Sequence, residues 1–374
     1  MKIVYCLSST CNPGGIESIV IDKANYLAEK GHKVYLITTE QLGRESFYKI
    51  HPSIQSIDLD INYSFENNQL WKKATSFYVK NHRHKKRLQA LLGELSPDIT
   101  VSTFGNEVRF LHEFSVGGKK VLEIHFSKNF RLQAGRKGIW RMIDESRTRA
   151  DERLVKKYDA FVVLTHEDKQ IWGNLKNIVV IPNFVRNIPK VKCNLAAKKV
   201  IAVGRLTFQK GMDRLINIWA TVYESYPDWH LDLYGGGEDR NALLQQIQQL
   251  ELSEAVTIHE PVSDVSKVYT SASIYVMTSR YEGFPMVLLE AMSYGLPIVS
   301  YKCQCGPRDL ISDGEDGFLV EEGDAQGFEE KLIKVMNDEE LRKSVSIKAE
   351  EKINRFTRVQ IMAKWEALFK CLTI

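Results

Sequence analysis

Residues 273–301 read SIYVMTSRYEGFPMVLLEAMSYGLPIVSY, and their order decides the fold. SIYVMTS and PIVSY are short β-rich runs, and between them lie a Gly-Pro-containing loop and an apolar stretch with the character of a helix. A strand, a helix and a second strand in this succession predict two parallel neighbours in a sheet wound by helices.

The same alternation extends through the chain. KIVYCLSS, KVYLITT, SIDLDI, DITVST, KVLEIHF, AFVVLT and IVVIP are the strand candidates of the first half. After the irregular NFVRNIPKVKCNLAAK a second series begins with KVIAVGRL, HLDLYG, AVTIHE, SIYVMTS, PIVSY and GFLV. The fold class is α/β, with two doubly wound Rossmann-like domains, residues 1–187 and 188–353. A length of 374 residues agrees, being too long for one comfortable core. Residues 354–374 read as an amphipathic helix with Ile361, Trp365, Leu368 and Phe369 at helical spacing. It could cap the second domain or return to the first.

With 44% hydrophobic and 26% charged residues the composition is that of a globular protein. Residues 1–187 carry 29 Lys+Arg against 20 Asp+Glu, a net of +9, while residues 188–374 carry 22 against 27, a net of −5. The basic half should prefer anionic company. No unbroken apolar stretch approaches the roughly 20 residues that span a bilayer, and the apolar run of MKIVYCLSST is far shorter than a signal-peptide core. The expected location is the cytoplasm. Cys303-Gln-Cys305 has the wrong spacing for zinc, so the cysteines are expected to be reduced thiols and no metal is expected.

In open parallel sheets ligands sit beyond the carboxyl ends of the strands. After the first strand comes STCNPGGIES, where Pro13, Gly14 and Gly15 make a tight turn that can present helix N–H groups to an anion or a hydroxyl-rich ligand; a plain βα turn is the alternative. GRLTFQKG places Arg205 and Lys210 in one loop, which suits a diphosphate, although two exposed cations can also be solvated surface. LYGGGEDR has Arg240 where a nicotinamide fingerprint requires a third glycine, which disfavours a dehydrogenase. Gly283, Phe284 and Pro285 would turn free backbone N–H groups into the crevice of Arg205 and Lys210. Glu282 and Glu290 are then about 10 Å apart at 1.5 Å rise per helical residue, too far to flank one bond and close to the reach from a sugar to a ribose. Glu290 lies among Val287, Leu288, Leu289, Ala291 and Met292, where a carboxylate wants a partner.

GRLTFQKG, LYGGGEDR, TSRYEGFPMVLLEAMSYGLPIVS, GPRDLISDGEDGFLV and PGGIES together resemble the retaining glycosyltransferases of family 4. The resemblance spans nearly the whole chain and is strongest over residues 200–323, where Glu282 and Glu290 form the family's E-x7-E element. It implies the GT-B architecture, two Rossmann-like domains facing across a cleft. It implies a nucleotide diphosphate sugar as co-substrate, with no cofactor and no metal. Carried onto this sequence, it assigns the donor diphosphate to Arg205 and Lys210 and the ribose hydroxyls to Glu290. Glu282, with the backbone about Gly283, Phe284 and Pro285, would address the transferred sugar and the phosphate. Gly15, Gly204, Gly236 and Arg240 join the donor-binding set, and His125 in VLEIHF matches a histidine near the sugar. Glu260-Pro261 stands where relatives commonly have a glycine beside the base, which leaves the base open, with UDP the first choice.

The resemblance also implies retention of anomeric configuration, with catalysis assigned to His125, Glu282, Arg205 and Lys210. Asp58-Leu59-Asp60 matches the metal-binding D-x-D of the other common glycosyltransferase architecture, but far in sequence from the phosphate loops, and reads as coincidence. Two basic, aromatic-bearing stretches, residues 71–89 and 136–157, suit an anionic membrane surface, a peripheral attachment; a pair of solvated helices is the alternative. The expected acceptor is a glycan or lipid-linked glycan in surface polysaccharide assembly, and nucleic acid is not expected. The competing readings are a nucleotide-sugar epimerase of the same architecture and a non-catalytic sugar-nucleotide-binding subunit.

Overall fold

The computed structural model describes residues 1–63, 70–133, 136–262 and 264–374, without the side chains of residues 70–75. The first sheet contains β1 (Lys2–Cys6), β2 (Lys33–Thr38), β3 (Gln55–Asp58), β4 (Ile99–Ser102), β5 (Lys119–Glu123), β6 (Ala160–Val163) and β7 (Ile178–Val180). Its order is β3-β2-β1-β4-β5-β6-β7, and every pairing is parallel. Helices α1 (Gly15–Glu29), α2 (Leu70–Leu95), α3 (Phe130–Gln133), α4 (Ile139–Val155) and α5 (His166–Trp172) accompany it. Each strand candidate of both series coincides with an observed strand.

The second sheet contains β8 (Lys199–Val203), β9 (His230–Tyr234), β10 (Val256–His259), β11 (Ile274–Met277), β12 (Ile298–Tyr301) and β13 (Phe318–Val320), again all parallel, in the order β10-β9-β8-β11-β12-β13. Its helices are α6 (Met212–Ser225), α7 (Arg240–Gln249), α8 (Ser266–Thr270), α9 (Met286–Ser293), α10 (Pro307–Leu310), α11 (Ala325–Asn337) and α12 (Glu339–Ile353). β4, β6, β11 and β12 are buried along their whole length, as parallel strands covered by helices on both faces must be. This is the doubly wound order, and it reverses direction between β1 and β4 and again between β8 and β11. A crevice opens beyond the strand ends at such a reversal, because the helices on its two sides depart to opposite faces of the sheet.

The final helix, α13 (Arg358–Thr373), returns to the first domain. Ile361, Met362, Trp365 and Phe369 lie in one core with Tyr5, Val20, Leu27 and Val162. A parallel bridge from Val185 to Thr357 and the ion pair of Arg358 with Glu29 fix its entry. Leu368 packs at the edge of the same core.

The amino end of α5 meets the loop of α10 across the domains. The backbone N–H groups of His166 and Glu167 donate to the Asp309 carboxylate at 2.6 and 3.2 Å, and the Cys305 N–H donates to Glu167 at 3.0 Å. An anion at a helix amino terminus is favourable, and here it ties one domain to the other.

Because Trp365 is buried in the core of a domain formed by residues nearly two hundred positions earlier, Trp365→Ala should destabilise that domain by about 3–5 kcal/mol. Urea denaturation followed by tryptophan fluorescence checks this, and an unchanged midpoint would mean that α13 is a dispensable appendage.

Candidate active site

A cleft of about 780 Å³ is lined from both domains, by Gly15 after β1, His125 after β5, Gly204, Arg205 and Lys210 after β8, and Glu282 to Val287 after β11. These are the loops at the carboxyl ends of strands at or beside the two reversals. Gly15 is the first residue of α1, and a Cβ built on it would meet no atom within 4 Å, while the Glu17 carboxylate of the same turn lies against Gly14 at this amino end.

The opposing wall comes closest at Gly283. A Cβ there would lie 2.6 Å from the His125 carbonyl oxygen and 2.7 Å from the Phe126 Cα, both backbone atoms that cannot rotate away. The absence of a side chain at 283 therefore sets how near the domains approach. Phe284 is buried in the second domain's core and Pro285 caps α9, so in this loop it is the backbone that faces the cleft. Helix α9 begins one residue later than a helix opened by Pro285 itself would.

Lys210 Nζ bonds Glu282 Oε1 at 2.7 Å, so the cation expected for the diphosphate and the acid expected for the sugar hold each other in the unliganded protein. Gly211, left-handed at φ 64°, ends this loop; a Cβ would lie 2.3 Å from the Thr278 carbonyl oxygen. Arg205 is exposed and forms no salt bridge or hydrogen bond through its guanidinium among the described residues. Glu290 has a definite partner: Tyr269 donates to Oε2 at 2.8 Å, and Tyr294 stacks on Tyr269. Burial pushes the Glu290 carboxyl up, against the opposing pull of that hydrogen bond and the charge of Arg186.

Glu290, Gly236 and Arg240 are not among the residues lining the cleft. Gly236 lies beside Pro261, and its carbonyl accepts from the Leu206 N–H at 2.9 Å. Arg240 donates to Glu260 at 3.0 Å. Asp58 accepts from Thr38 and from the Gln41 N–H at the edge of the first sheet, and no metal-competent cluster occurs among the described residues.

Beneath His125 lies a charged trio that the sequence reading did not include. Glu123 is fully buried, paired with Lys23 of α1, and its Oε1 is 2.7 Å from His125 Nε2. That contact has the distance of an ion pair without the alignment of a hydrogen bond, and Glu123 Oε2 is buried without a partner. Lys23 also stands 4.4 Å from the centre of the Trp365 ring, which joins α13 to the trio. Burial by itself would raise the Glu123 carboxyl, but Lys23 and His125 together overcome it and hold it at about 2. Glu123 thus contributes stability fully above about pH 4.3, and the contribution is lost as the pH falls toward 2. A signal was present in the sequence. Glu123 precedes His125 by two positions at the end of one strand, where alternate side chains share a face, and Lys23 interrupts the apolar face of α1.

The Glycosyltransferase Family 4 model matches residues 13–186, and the Glycosyl transferases group 1 model matches residues 186–352. An uncharacterized glycosyltransferase of Haemophilus influenzae is 29% identical over 373 residues, covering 98% of this chain and 99% of its own. The lipopolysaccharide 1,6-galactosyltransferase of Salmonella typhimurium is 32% identical over 357 residues, covering 91% of this chain and 90% of its own. The crystal structure of Anabaena HepE in complex with UDP-glucose superposes with a TM-score of 0.74 at 18% identity, covering 99% of this chain and all of that one, which shows a shared fold.

Removing Lys23 alone strands the Glu123 charge, so Lys23→Met should cost about 3–5 kcal/mol, and Lys23→Met with Glu123→Leu should recover most of it. Chemical denaturation of the single and double variants decides this. Simple additivity of the two losses would mean that the pair is not coupled.

Proposed function

This chain belongs to the glycosyltransferases of family 4 and group 1, with the GT-B fold, acting in bacterial polysaccharide assembly; on that premise we propose its donor, acceptor and mechanism. The donor is a UDP-linked hexose or N-acetylhexosamine. The acceptor is a glycan or lipid-linked glycan, and transfer proceeds with retention and without a metal. The observation that carries the reading is the meeting, at one cleft, of Arg205, unpaired among the described residues, the Lys210–Glu282 pair, His125 and the amino end of α1. The UDP-glucose bound by HepE, a chain of the same fold, supports the choice of base.

As the bond from C1 of the sugar to the β-phosphate oxygen stretches, negative charge grows on the diphosphate. Among the described residues Arg205 has no anion to satisfy, and its planar fork suits two phosphate oxygens. Lys210 has Glu282 as its resting partner and gains a stronger one when a diphosphate arrives. His125 faces the sugar from the opposite domain, held by Glu123. The acceptor oxygen attacks C1 from the face that the phosphate leaves, and the departing β-phosphate oxygen takes the acceptor proton. The ribose is assigned to Glu290, which stands just outside the cleft lining and has one oxygen that Tyr269 does not occupy. Gly236 and Arg240 act on the donor through the loops that they brace.

No helix is long and apolar enough to cross a membrane among the described residues. At the start of α4, Ile139, Trp140 and Met142 are 69%, 60% and 69% exposed beside Arg136, Lys137 and Arg141. Apolar side chains among cations suit shallow insertion into an anionic leaflet, and this turn is the proposed contact with the cytoplasmic face of the membrane.

Thermal shift against UDP-, GDP- and ADP-linked sugars tests the donor. The preferred one should stabilise the protein by about 2.7 kcal/mol at 100 times its Kd. Arg205→Ala should lower kcat by about 100- to 1,000-fold with the fold intact. Wild-type turnover in that variant, or stabilisation by none of the three donor classes, would defeat the assignment.

A further inference from the structure

Beside the cleft, on the first domain, lies a second recess of about 440 Å³, lined by Arg109, Arg131, Arg147, Arg153 and Lys157, with Asp151 as its one acid. Asp151 is already committed to Arg131, which leaves Arg109, Arg147, Arg153 and Lys157 without a salt bridge among the described residues. Arg153 lies in the last turn of α4 and Lys157 two residues beyond its end, so two like charges share the carboxyl end of one helix. The sequence shows only a mixed stretch, in which Asp144, Glu145, Asp151 and Glu152 nearly balance the cations. Folding sorts these charges. Asp144 is buried within reach of Arg136, Glu145 turns to Arg141 and Arg149, and Glu152 turns to Lys128. Arg147 and Arg153 of α4 and Lys157 just beyond it are thereby left to converge with Arg109, which follows β4.

We propose that this recess binds a phosphate or pyrophosphate group carried by the acceptor. The inference rests on the glycosyltransferase reading and narrows its acceptor class. Guanidinium forks pair with phosphate oxygens two at a time, and the donors gathered here exceed what one sugar carboxylate can accept. Position agrees with the role. Arg131 lines both the recess and the cleft, so a phosphorylated acceptor anchored on α4 would extend its hydroxyl end toward the sugar over His125. The exposed apolar turn at Ile139 lies at the other end of α4, so the recess is distinct from the proposed membrane contact.

The test is calorimetric titration of inorganic pyrophosphate into the full chain with the donor site saturated by UDP. Wild type should bind it, and Arg147→Gln with Arg153→Gln should weaken binding by about tenfold or more while UDP affinity and Tm stay unchanged. Sedimentation with phosphatidylglycerol vesicles separates a lipid headgroup from an acceptor phosphate, and retention should be the same in wild type and the double variant. Equal pyrophosphate affinity in the two proteins overturns the proposal, and so does loss of vesicle retention in the variant without loss of pyrophosphate binding. If UDP itself does not bind, the donor reading fails by its own measurement. The same titration carried out in Arg205→Ala protein then still decides the recess.

Discussion

Glu123 is a carboxylate with no contact with water, and its charge must be met from inside the protein. An isolated buried charge costs several kcal/mol, so the groups that answer it are constrained together. Lys23 comes from the first helix, His125 from the end of β5, and the Trp365 ring that covers Lys23 from the last helix of the chain. One electrostatic requirement thus fixes the histidine at the cleft, the position of α1 beneath it and the return of the carboxyl terminus. It also explains why α13 leaves the second domain: its aromatic residues complete the low-dielectric setting in which the Lys23–Glu123 attraction is strong.

The cleft follows from topology more than from any single residue. Both sheets reverse their strand order after their first strand, and both reversals leave a gap at the carboxyl ends of the strands. The gaps face one another where Gly283 rests against the backbone of His125 and Phe126, while the amino end of α5 bonds Asp309. The second domain's loops bring a guanidinium and an ammonium–carboxylate pair to the cleft. The first domain contributes a helix terminus, a histidine and, farther out, cations that have no salt bridge among the described residues. That division reproduces the charge asymmetry of the two halves of the chain.

The fold was legible almost entirely in the sequence. Thirteen strand runs, most of them separated by helical stretches, specify two parallel sheets, because a parallel strand covered on both faces reads as a continuous apolar run and most such returns here are helices. The loops carrying Arg205, Lys210 and Glu282 were legible too, since loops after strands are where such sheets place ligands. Less visible was what each charged residue touches. Arg240 and Gly236 sit in a loop that also follows a strand, yet one braces Glu260 and the other packs on Pro261. Glu290 was expected to need a partner, and nothing in the spacing pointed to Tyr269, which reaches it from a different helix.

By itself, then, the sequence determined the strand and helix pattern, the place of the cleft-lining loops after the strands and the basic character of the first half. These depend on local periodicity and on residue type, which one segment can express alone. Only the tertiary structure decided that the last helix belongs to the first domain, that Glu123 and Lys23 stand behind His125, and that Arg147 and Arg153 of α4 meet Arg109 at one recess. Those outcomes depend on which distant segments are brought within a few ångströms of each other, and that depends on the desolvation of charge and the closure of cores, which no single segment encodes.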